Sequence, residues 1–355
     1  MTFILGIESS CDETAAAVVE DGVILRSNII ASQHDLHRRY GGVVPEIASR
    51  AHLERIDPVI QEALGAAGIT ASQIDAVAVG NRPGLIGSLL VGVSAAKAIA
   101  WSLDRPLIGI DHVQAHLYAA SIRKPGEEAP LPVYPALGLV VSGGHSSMFL
   151  VSSPTRSTLL GKTIDDAVGE AYDKAAIILG LPFPGGPNLD KLAKTGNPQA
   201  HDLPRPLLDG QSLDFSFSGM KTAMLYKVRG LPQGRGVNAT FQRSASDLSP
   251  QEIADLAASF QHAAVDTIIR KLSRAVELLT ARNERPGSLI VGGGVSANSH
   301  LRARCLELGQ QLGIPVHLPA MSLCVDNAAM IAGLAHCYYQ ERIFSPLDLP
   351  AIATV

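Results

Sequence analysis

Two histidines, His112 and His116, stand four residues apart in a segment with the pattern of a helix. Side chains at this spacing project from one face of a helix, so both imidazoles could reach a single metal ion. The spacing alone is a weak signal, because ordinary helices also carry such pairs. Asp326 lies at the start of a predicted helix in the second half of the chain, as His112 does in the first half. Two histidines and one carboxylate would leave open positions on an ion, as a catalytic metal requires.

Two glycine-rich loops are candidates for binding a phosphate or a nucleotide. Residues Ser142-Gly143-Gly144-His145 separate two predicted strands, and Gly292 to Gly294 lead from a strand towards a helix. Backbone N–H groups in such loops can approach an anion closely. Each loop alone is also explained as an ordinary turn, but their matched positions in the two halves favour nucleotide binding.

A third segment, from Ser9 to Thr14, is unusually rich in carboxylates for a phosphate loop. Asp12 and Glu13 could hold a cation, shape the pocket or handle a proton, and we take them as candidate catalytic residues. The alternative is a solvated turn capped by polar side chains. Cys11 has no visible base beside it, so an inert thiol is the better interpretation.

The elements that must position these residues form an internal repeat. Three strands followed by α-β-α-β-α occur twice, and the second copy contains an insertion at about 163–249. We therefore predict an α/β protein with two lobes facing each other across a cleft, at 1–130 and 131–355. Pseudo-symmetry would bring the helix starts at His112 and Asp326 to that cleft. The predicted strands lie at 2–8, 14–20, 23–30, 74–80, 107–110, 137–142, 146–152, 156–161, 288–292 and 314–318. The predicted helices lie at 45–67, 85–103, 112–122, 250–282, 297–311 and 325–340.

Composition excludes several classes of protein. The 355 residues are 46% hydrophobic and carry a formal charge of −4, which excludes a disordered chain and a uniformly basic nucleic-acid wrapper. The four cysteines form no C-x-x-C pair, which argues against a disulfide scaffold and fits a reducing compartment. The N-terminus lacks a basic signal-peptide region, and the apolar stretch 89–103 is too short to span a bilayer. We predict a cytoplasmic globular protein without a membrane segment; basic stretches at 26–55 and 202–243 could contact the phosphates of a nucleic acid.

The order of elements resembles the actin, Hsp70 and sugar-kinase superfamily, in which a nucleotide lies between two lobes. At the level of motifs the chain resembles the tRNA N6-adenosine threonylcarbamoyltransferases, a family of bacterial and Kae1-type proteins, over nearly its whole length. The Gly/Pro/Ser-rich stretch 230–249 is the one visible departure and reads as a lengthened surface loop. The motifs are GIESSCDETAAAVV (6–19), GNRPGLIGSLLVG (80–92), DHVQAHLYAA (111–120), LVVSGGHSSMF (139–149), DDAVGEAYDKAAIILGL (165–181), FSFSGMKTA (215–223), VGGGVSAN (291–298) and CVDNAAMIA (324–332).

The resemblance implies an acyltransferase that moves the threonylcarbamoyl group from L-threonylcarbamoyl-AMP to N6 of adenosine 37. The tRNAs concerned read codons that begin with A; the products are t6A and AMP. It also implies one divalent metal ion per subunit, iron or zinc. The implied partners are tRNA, a non-catalytic paralogue, a P-loop ATPase and a separate synthase that makes threonylcarbamoyl-AMP.

The same resemblance assigns residues to two sites. Its metal ligands correspond to His112, His116 and Asp326. Its adenylate-binding residues correspond to Val140, Val141, Ser142, Gly143, Gly144, Asp173, Gly186, Asp190 and Asn298.

Three alternatives belong to other classes. Members of this family have been labelled O-sialoglycoprotein endopeptidases, but the protease motif H-E-x-x-H needs a general-base Glu where this chain has Val113. A small-molecule or sugar kinase of the same superfamily would release ADP and need no tRNA. A catalytically silent scaffold should lack the set of His112, His116 and Asp326, which this chain keeps.

Overall fold

The structure, a computed structural model, describes residues 1–38, 40, 42–207, 211–234 and 240–353. Residues 235–239 of the predicted surface loop 230–249 therefore lie outside the described residues. The strands are β1 (Phe3–Glu8), β2 (Glu13–Glu20), β3 (Ile24–Ser32), β4 (Ala76–Arg82), β5 (Leu107–Asp111), β6 (Ala136–Val141), β7 (Ser146–Ser153), β8 (Arg156–Lys162), β9 (Ser288–Gly292) and β10 (Val316–His317). The helices are α1 (His34–Arg38), α2 (Pro45–Ala67), α3 (Ile86–Leu103), α4 (His112–Tyr118), α5 (Val168–Ile178), α6 (Gly185–Ala193), α7 (Ser218–Arg229), α8 (Pro250–Ala281), α9 (Ser299–Leu312) and α10 (Ala328–Gln340).

The strands form two five-stranded sheets with the same topology. Their orders are β3-β2-β1-β4-β5 and β8-β7-β6-β9-β10. In each sheet the first three strands of the copy pair antiparallel, and the last two run parallel to the first. The predicted repeat and the two-lobed α/β fold are confirmed. The insertion contributes α5, α6 and α7 to the second lobe.

Local sequence signals account for several helix ends. Gly68 ends α2 in the left-handed conformation, with φ of 69°, which glycine adopts without strain. Ser249 and Glu252 form a capping box at the start of α8. The predicted start of the last helix at 325 is wrong. Asn327 caps α10, so Asp326 precedes the helix instead of opening it.

Two helices cross between the sheets. α4 follows the first sheet in the chain but packs against β6 and β9, whereas α10 ends the second copy and packs against β1 and β4. Glycines allow both approaches: a Cβ on Gly6 would lie 2.3 Å from the Ala328 carbonyl oxygen, and one on Gly292 would lie 2.1 Å from that of His116. The division at 130/131 follows chain order and stays a prediction, since α10 packs with the first sheet. This crossing brings the start of α4 beside the start of α10.

α3 corrects one detail of the sequence analysis. The helix has 18 residues, three more than the apolar stretch 89–103, and is long and apolar enough to cross a membrane by length and composition. Val93, Ala96 and Ala100 are nevertheless buried in the core beneath the first sheet. A core helix passes the same test of length and composition, so α3 is weak support for a membrane span.

Candidate functional site

The structure brings His112, His116 and Asp326 together where α4 and α10 begin. Nε2 of His112 lies 3.4 Å from Oδ1 of Asp326, and Nε2 of His116 lies 3.1 Å from the same oxygen. The two imidazole rings stand nearly perpendicular, with centroids 4.7 Å apart. Within the described residues, one ligand atom from each of the three side chains lies within 4.8 Å of the others. Two nitrogens and one oxygen that converge in this way fit a divalent cation such as iron or zinc.

Both helix starts are fixed by side-chain caps. Asp111 caps α4 by accepting hydrogen bonds from the N–H groups of Val113 and Gln114, at 3.0 and 3.1 Å. Asn327 caps α10 by accepting from the N–H of Met330 at 3.0 Å. The residues immediately next to these caps are His112 and Asp326. Their positions therefore depend on rigid helix ends.

The charges in the cluster depend on one another. Burial by itself would lower the pKa of His112, but Glu8 and Asp326 outweigh it and hold that pKa well above the usual value. For His116, burial dominates and lowers the pKa. Burial would raise the pKa of Asp326, but the charge of His112 and hydrogen bonds from both histidines hold it well below its usual value. Oδ1 of Asp326 faces Nε2 of both histidines, and a divalent cation could bind between them by displacing the protons on these nitrogens.

Asp12 and Glu13 lie close to this cluster. Together with His34 they form a second group of ligand atoms within 4.8 Å of one another, counted over the described residues. Burial, followed by the charges of Asp326 and Asp12, raises the pKa of Glu13 to about 9. Glu13 therefore holds a proton at neutral pH. In a fully solvated turn, the alternative interpretation of this segment, its carboxyl group would be ionised. The turn carries a partly buried carboxyl group, with a side chain 14% exposed, beside the cluster.

The segment that carries these carboxylates is tied to α2. His52 is buried, with Nε2 at 3.0 Å from the Cys11 carbonyl oxygen and Nδ1 at 2.7 Å from Oγ1 of Thr14. Burial, followed by the charge of Asp12, raises the pKa of the Cys11 thiol. A thiol with a raised pKa is a poor nucleophile at neutral pH, which agrees with the expectation of an inert thiol.

The loop from Ser142 to His145 closes as a tight hairpin beside α5. The N–H of Ser142 donates to the His145 carbonyl oxygen at 2.8 Å, and the N–H of Gly169 donates to the Ser142 carbonyl oxygen at 3.2 Å. A Cβ on Gly143 or Gly144 would meet no protein atom within 4 Å. Both glycines therefore face open space, as a loop that admits a ligand should. Val140 and Val141, also predicted to bind the adenylate, are buried at the end of β6.

The second glycine loop is explained mainly by packing. Gly293 has a φ of 88°, and a Cβ on it would lie 2.4 Å from the Val141 carbonyl oxygen. Gly292 approaches the α4 backbone with similar closeness. Gly294 alone faces open space. The first two glycines thus hold β9 against β6 and α4, whether or not a nucleotide binds.

The other predicted adenylate residues lie around α6. Asp173 accepts a hydrogen bond from the N–H of Gly186 at 3.1 Å, which joins α5 to α6. Asp190 accepts from Oγ of Ser299 at 2.8 Å, which joins α6 to the first residue of α9. Asn298 caps α9 through the N–H of Leu301, at 2.9 Å. Asp173 and Gly186 are therefore bonded to each other, and Asp190 is bonded to Ser299, the residue after Asn298; the binding role of all four predicted residues stays a prediction.

Two residues near the cluster were missed by the sequence analysis. Glu8 lies at the end of β1 with its side chain wholly buried, 3.0 Å from Nδ1 of His112. A charged residue directly after a run of apolar strand residues was the available signal. His145 ends the first glycine loop, and burial, with the charges of His112 and His116, lowers its pKa. His145 is thus a neutral imidazole close to the cluster.

The sequence comparisons identify the family. A family model described as TsaD: tRNA N6-adenosine threonylcarbamoyltransferase matches residues 24–333. A protein of that name from Moorella thermoacetica is 51% identical over 351 residues, which cover 99% of this chain and 96% of the relative. A protein of the same name from Thermosipho africanus is 44% identical over 349 residues and 98% of both chains.

This chain belongs to the tRNA N6-adenosine threonylcarbamoyltransferase family. The chain also resembles solved structures with low sequence identity. That likeness supports the fold and says nothing about the function. The HypF protein of T. kodakarensis matches with a TM-score of 0.55 and 14% identity over 96% of this chain and 48% of that one. Component A of (R)-2-hydroxyglutaryl-CoA dehydratase from Acidaminococcus fermentans matches with a TM-score of 0.52 and 14% identity over 96% and 100%.

Two motifs that carry the resemblance to the threonylcarbamoyltransferases join parts of the insertion. Asp165 accepts hydrogen bonds from Oγ of Ser216 at 2.5 Å and from the N–H of Phe217 at 2.8 Å, and so holds the start of α7. Asp166 pairs with Lys174 of α5 at 2.8 Å and with Lys221 of α7 at 3.0 Å. The contacts of Asp165 and Asp166 therefore form one joint between the segments 165–181 and 215–223. α5, which lies in the first segment, contacts the Ser142–His145 loop through the N–H of Gly169.

Proposed function

We propose that this chain transfers the threonylcarbamoyl group from L-threonylcarbamoyl-AMP to N6 of adenosine 37 in tRNAs that read codons beginning with A. The observation that carries the proposal is the convergence of His112, His116 and Asp326 from helices at opposite ends of the chain. Membership of the threonylcarbamoyltransferase family supplies the substrate class. The products are t6A and AMP.

The reaction is an acyl transfer to a weak amine nucleophile. The N6 nitrogen attacks the carbamoyl carbon, a C–N bond forms, and the C–O bond to the AMP phosphate breaks with its electron pair leaving on the phosphate. The amine proton passes to a base. His112, His116 and Asp326 would hold one iron or zinc ion, which supplies polarisation and orientation of the substrate when bound.

The chain's own residues contribute around that ion. Gly143 and Gly144 leave room for a phosphate beside their N–H groups, where charge on the leaving AMP can be stabilised. Asp173, Gly186, Asp190 and Asn298 would bind the remainder of the adenylate. Glu13 holds a proton at neutral pH, so it can donate a hydrogen bond to the substrate, and Asp12 beside it offers a carboxylate that can accept one.

The partners follow from the same proposal. tRNA contacts would use basic residues in the stretches 26–55 and 202–243, and binding should weaken as salt rises. A non-catalytic paralogue and a P-loop ATPase would assist turnover, and a separate synthase would supply threonylcarbamoyl-AMP. A role in tRNA modification would place this chain in the cytoplasm.

Site mapping of the modified nucleoside tests the proposal. Two transcripts of one tRNA that reads an A-starting codon are compared, one with adenosine and one with guanosine at position 37. With threonylcarbamoyl-AMP and the accessory proteins, mass spectrometry of nuclease fragments should find t6A only in the first transcript, and only at position 37. Modification of both transcripts, or of neither, would contradict the proposed substrate.

A further inference from the structure

Glu8 is buried beneath the proposed metal ligands, and both of its carboxylate oxygens have a partner. Oε1 accepts a hydrogen bond from the N–H of Ser10 at 2.6 Å. Oε2 lies 3.0 Å from Nδ1 of His112. An ionised carboxylate only accepts hydrogen bonds, so Nδ1 of His112 is the donor. The Oγ of Ser10, 3.2 Å from the same nitrogen, is a second neighbour.

The neighbouring strand leaves a gap that Glu8 fills. Gly80 lies on β4, and a Cβ built on it would be 2.5 Å from Oε2 of Glu8. The next nearest atom outside Glu8 is Cδ1 of Ile331, at an ordinary 3.5 Å. A side chain at position 80 would therefore have to displace the carboxylate.

The two histidines differ in what holds their second nitrogen. Nδ1 of His112 faces Glu8, whereas Nδ1 of His116 is buried without a hydrogen-bond partner in the part of the chain that the structure describes. A histidine that binds a metal through Nε2 must carry its proton on Nδ1, and an acceptor at Nδ1 fixes both that tautomer and the ring orientation.

We infer that Glu8 is a positioning residue, which aims Nε2 of His112 at the ion site, and that Gly80 is a glycine because this carboxylate needs its space. The inference rests on the metal site of the proposed function. A purely structural carboxylate would affect the stability of the fold and leave metal binding unchanged. The inferred role of Glu8 differs, because it predicts an effect on metal binding itself.

Four variants test the inference: Glu8→Ala, Glu8→Gln, Gly80→Ala and the double variant Glu8→Ala/Gly80→Ala. Glu20→Gln is the matched control, because Glu20 is also a buried glutamate of the first sheet but pairs with Arg26. The readouts are affinity for Zn²⁺ and Co²⁺ by competition with a chelator, the visible absorption spectrum of bound Co²⁺, and thermal unfolding of the full chain.

Glu8→Ala should weaken metal binding by about 10- to 100-fold, the usual effect of losing such a partner, and should alter the Co²⁺ spectrum. Glu8→Gln should lose less, because its single carbonyl oxygen can serve Ser10 or His112 but not both. Gly80→Ala should weaken binding in the presence of Glu8 and add no further loss in the Glu8→Ala background. Glu20→Gln should leave affinity and spectrum unchanged.

Unchanged affinity and spectrum in Glu8→Gln and Gly80→Ala would overturn the inference, even if Glu8→Ala fails to fold. An equal loss from Gly80→Ala with and without Glu8 would also overturn it, since the glycine would then act by another route. A wild-type chain that binds neither metal would overturn the metal site of the proposed function and this inference together. Wild-type binding that the Glu8 and Gly80 variants leave intact would overturn the inference alone.

Discussion

His116 and Asp326 are 210 residues apart in the chain, yet Nε2 of one lies 3.1 Å from Oδ1 of the other. The contact exists because α4 packs on the second sheet while α10 packs on the first. Neither half of the chain contains the complete cluster. Any change that separates the two helix starts should therefore disrupt the proposed ion site before it disrupts either sheet.

The first prediction concerns the ion itself. His112→Ala, His116→Ala and Asp326→Ala should each lose bound iron or zinc and most transfer activity, because each removes one of three proposed ligands. The measurement is metal content by mass spectrometry, with circular dichroism as a check on folding. His336→Ala, on α10 but outside the cluster, is the control. Full metal occupancy in His116→Ala/Asp326→Ala would remove the assignment.

The second prediction separates the two glycine loops. Gly144→Val should weaken binding of AMP by about tenfold or more and change stability by less than about 0.5 kcal/mol, because its Cβ points into open space. Gly293→Val should instead lower the free energy of unfolding by about 2 kcal/mol or more, because it combines a positive φ with a contact to the Val141 carbonyl. Calorimetric AMP titration and urea unfolding check both. AMP affinity unchanged in Gly144→Val would make this loop an ordinary turn.

The candidate site is predictable from the sequence where its signals are local. The spacing of His112 and His116 and the repeat of elements were local patterns, and they sufficed to predict the cluster. The apolar pattern predicts a helix that includes Asp326, because the pattern does not show that Asn327 is the N-cap. The sequence shows Glu8 only as a charge directly after apolar strand residues, and this signal does not reveal its partner His112 in another element. Gly293 resembles a ligand loop in sequence, and only the distance to Val141 shows that packing requires it.

The third prediction concerns Glu13 and pH. The pKa of Glu13 in the folded state, about 9, lies above the ordinary value of 4.5, so the folded state binds its proton more tightly than the unfolded state does. The contribution of Glu13 to the free energy of unfolding is fully present below pH 4.5, where both states hold the proton. It is lost as the pH rises towards 9, because the unfolded state then releases the proton more readily. Glu13→Gln should therefore stabilise the chelator-treated protein relative to wild type, and more at pH 9 than at pH 6. Urea unfolding at the two pH values is the measurement, and a gap independent of pH would contradict it.

The fourth prediction concerns the joint between α5 and α7. Asp165→Ala removes the acceptor for Ser216, Phe217 and Ser218 at the start of α7, and should cost about 1 kcal/mol of stability, as the loss of a helix cap does. Asp202→Ala is the control, because Asp202 is an exposed aspartate with one loose ion pair to Arg205. Urea unfolding that shows equal stabilities for the two variants would contradict the assigned role.

The central claim is that this chain performs an acyl transfer from an adenylate and no phosphoryl transfer. A single-turnover assay tests it most directly, with metal-loaded enzyme, accessory proteins, preformed threonylcarbamoyl-AMP, unmodified tRNA and no ATP. The wild type should form t6A and AMP in equal amounts, and Asp326→Ala should form neither. If the wild type forms no t6A but forms ADP when ATP and a small polyol are supplied instead, the chain is a kinase and no acyltransferase.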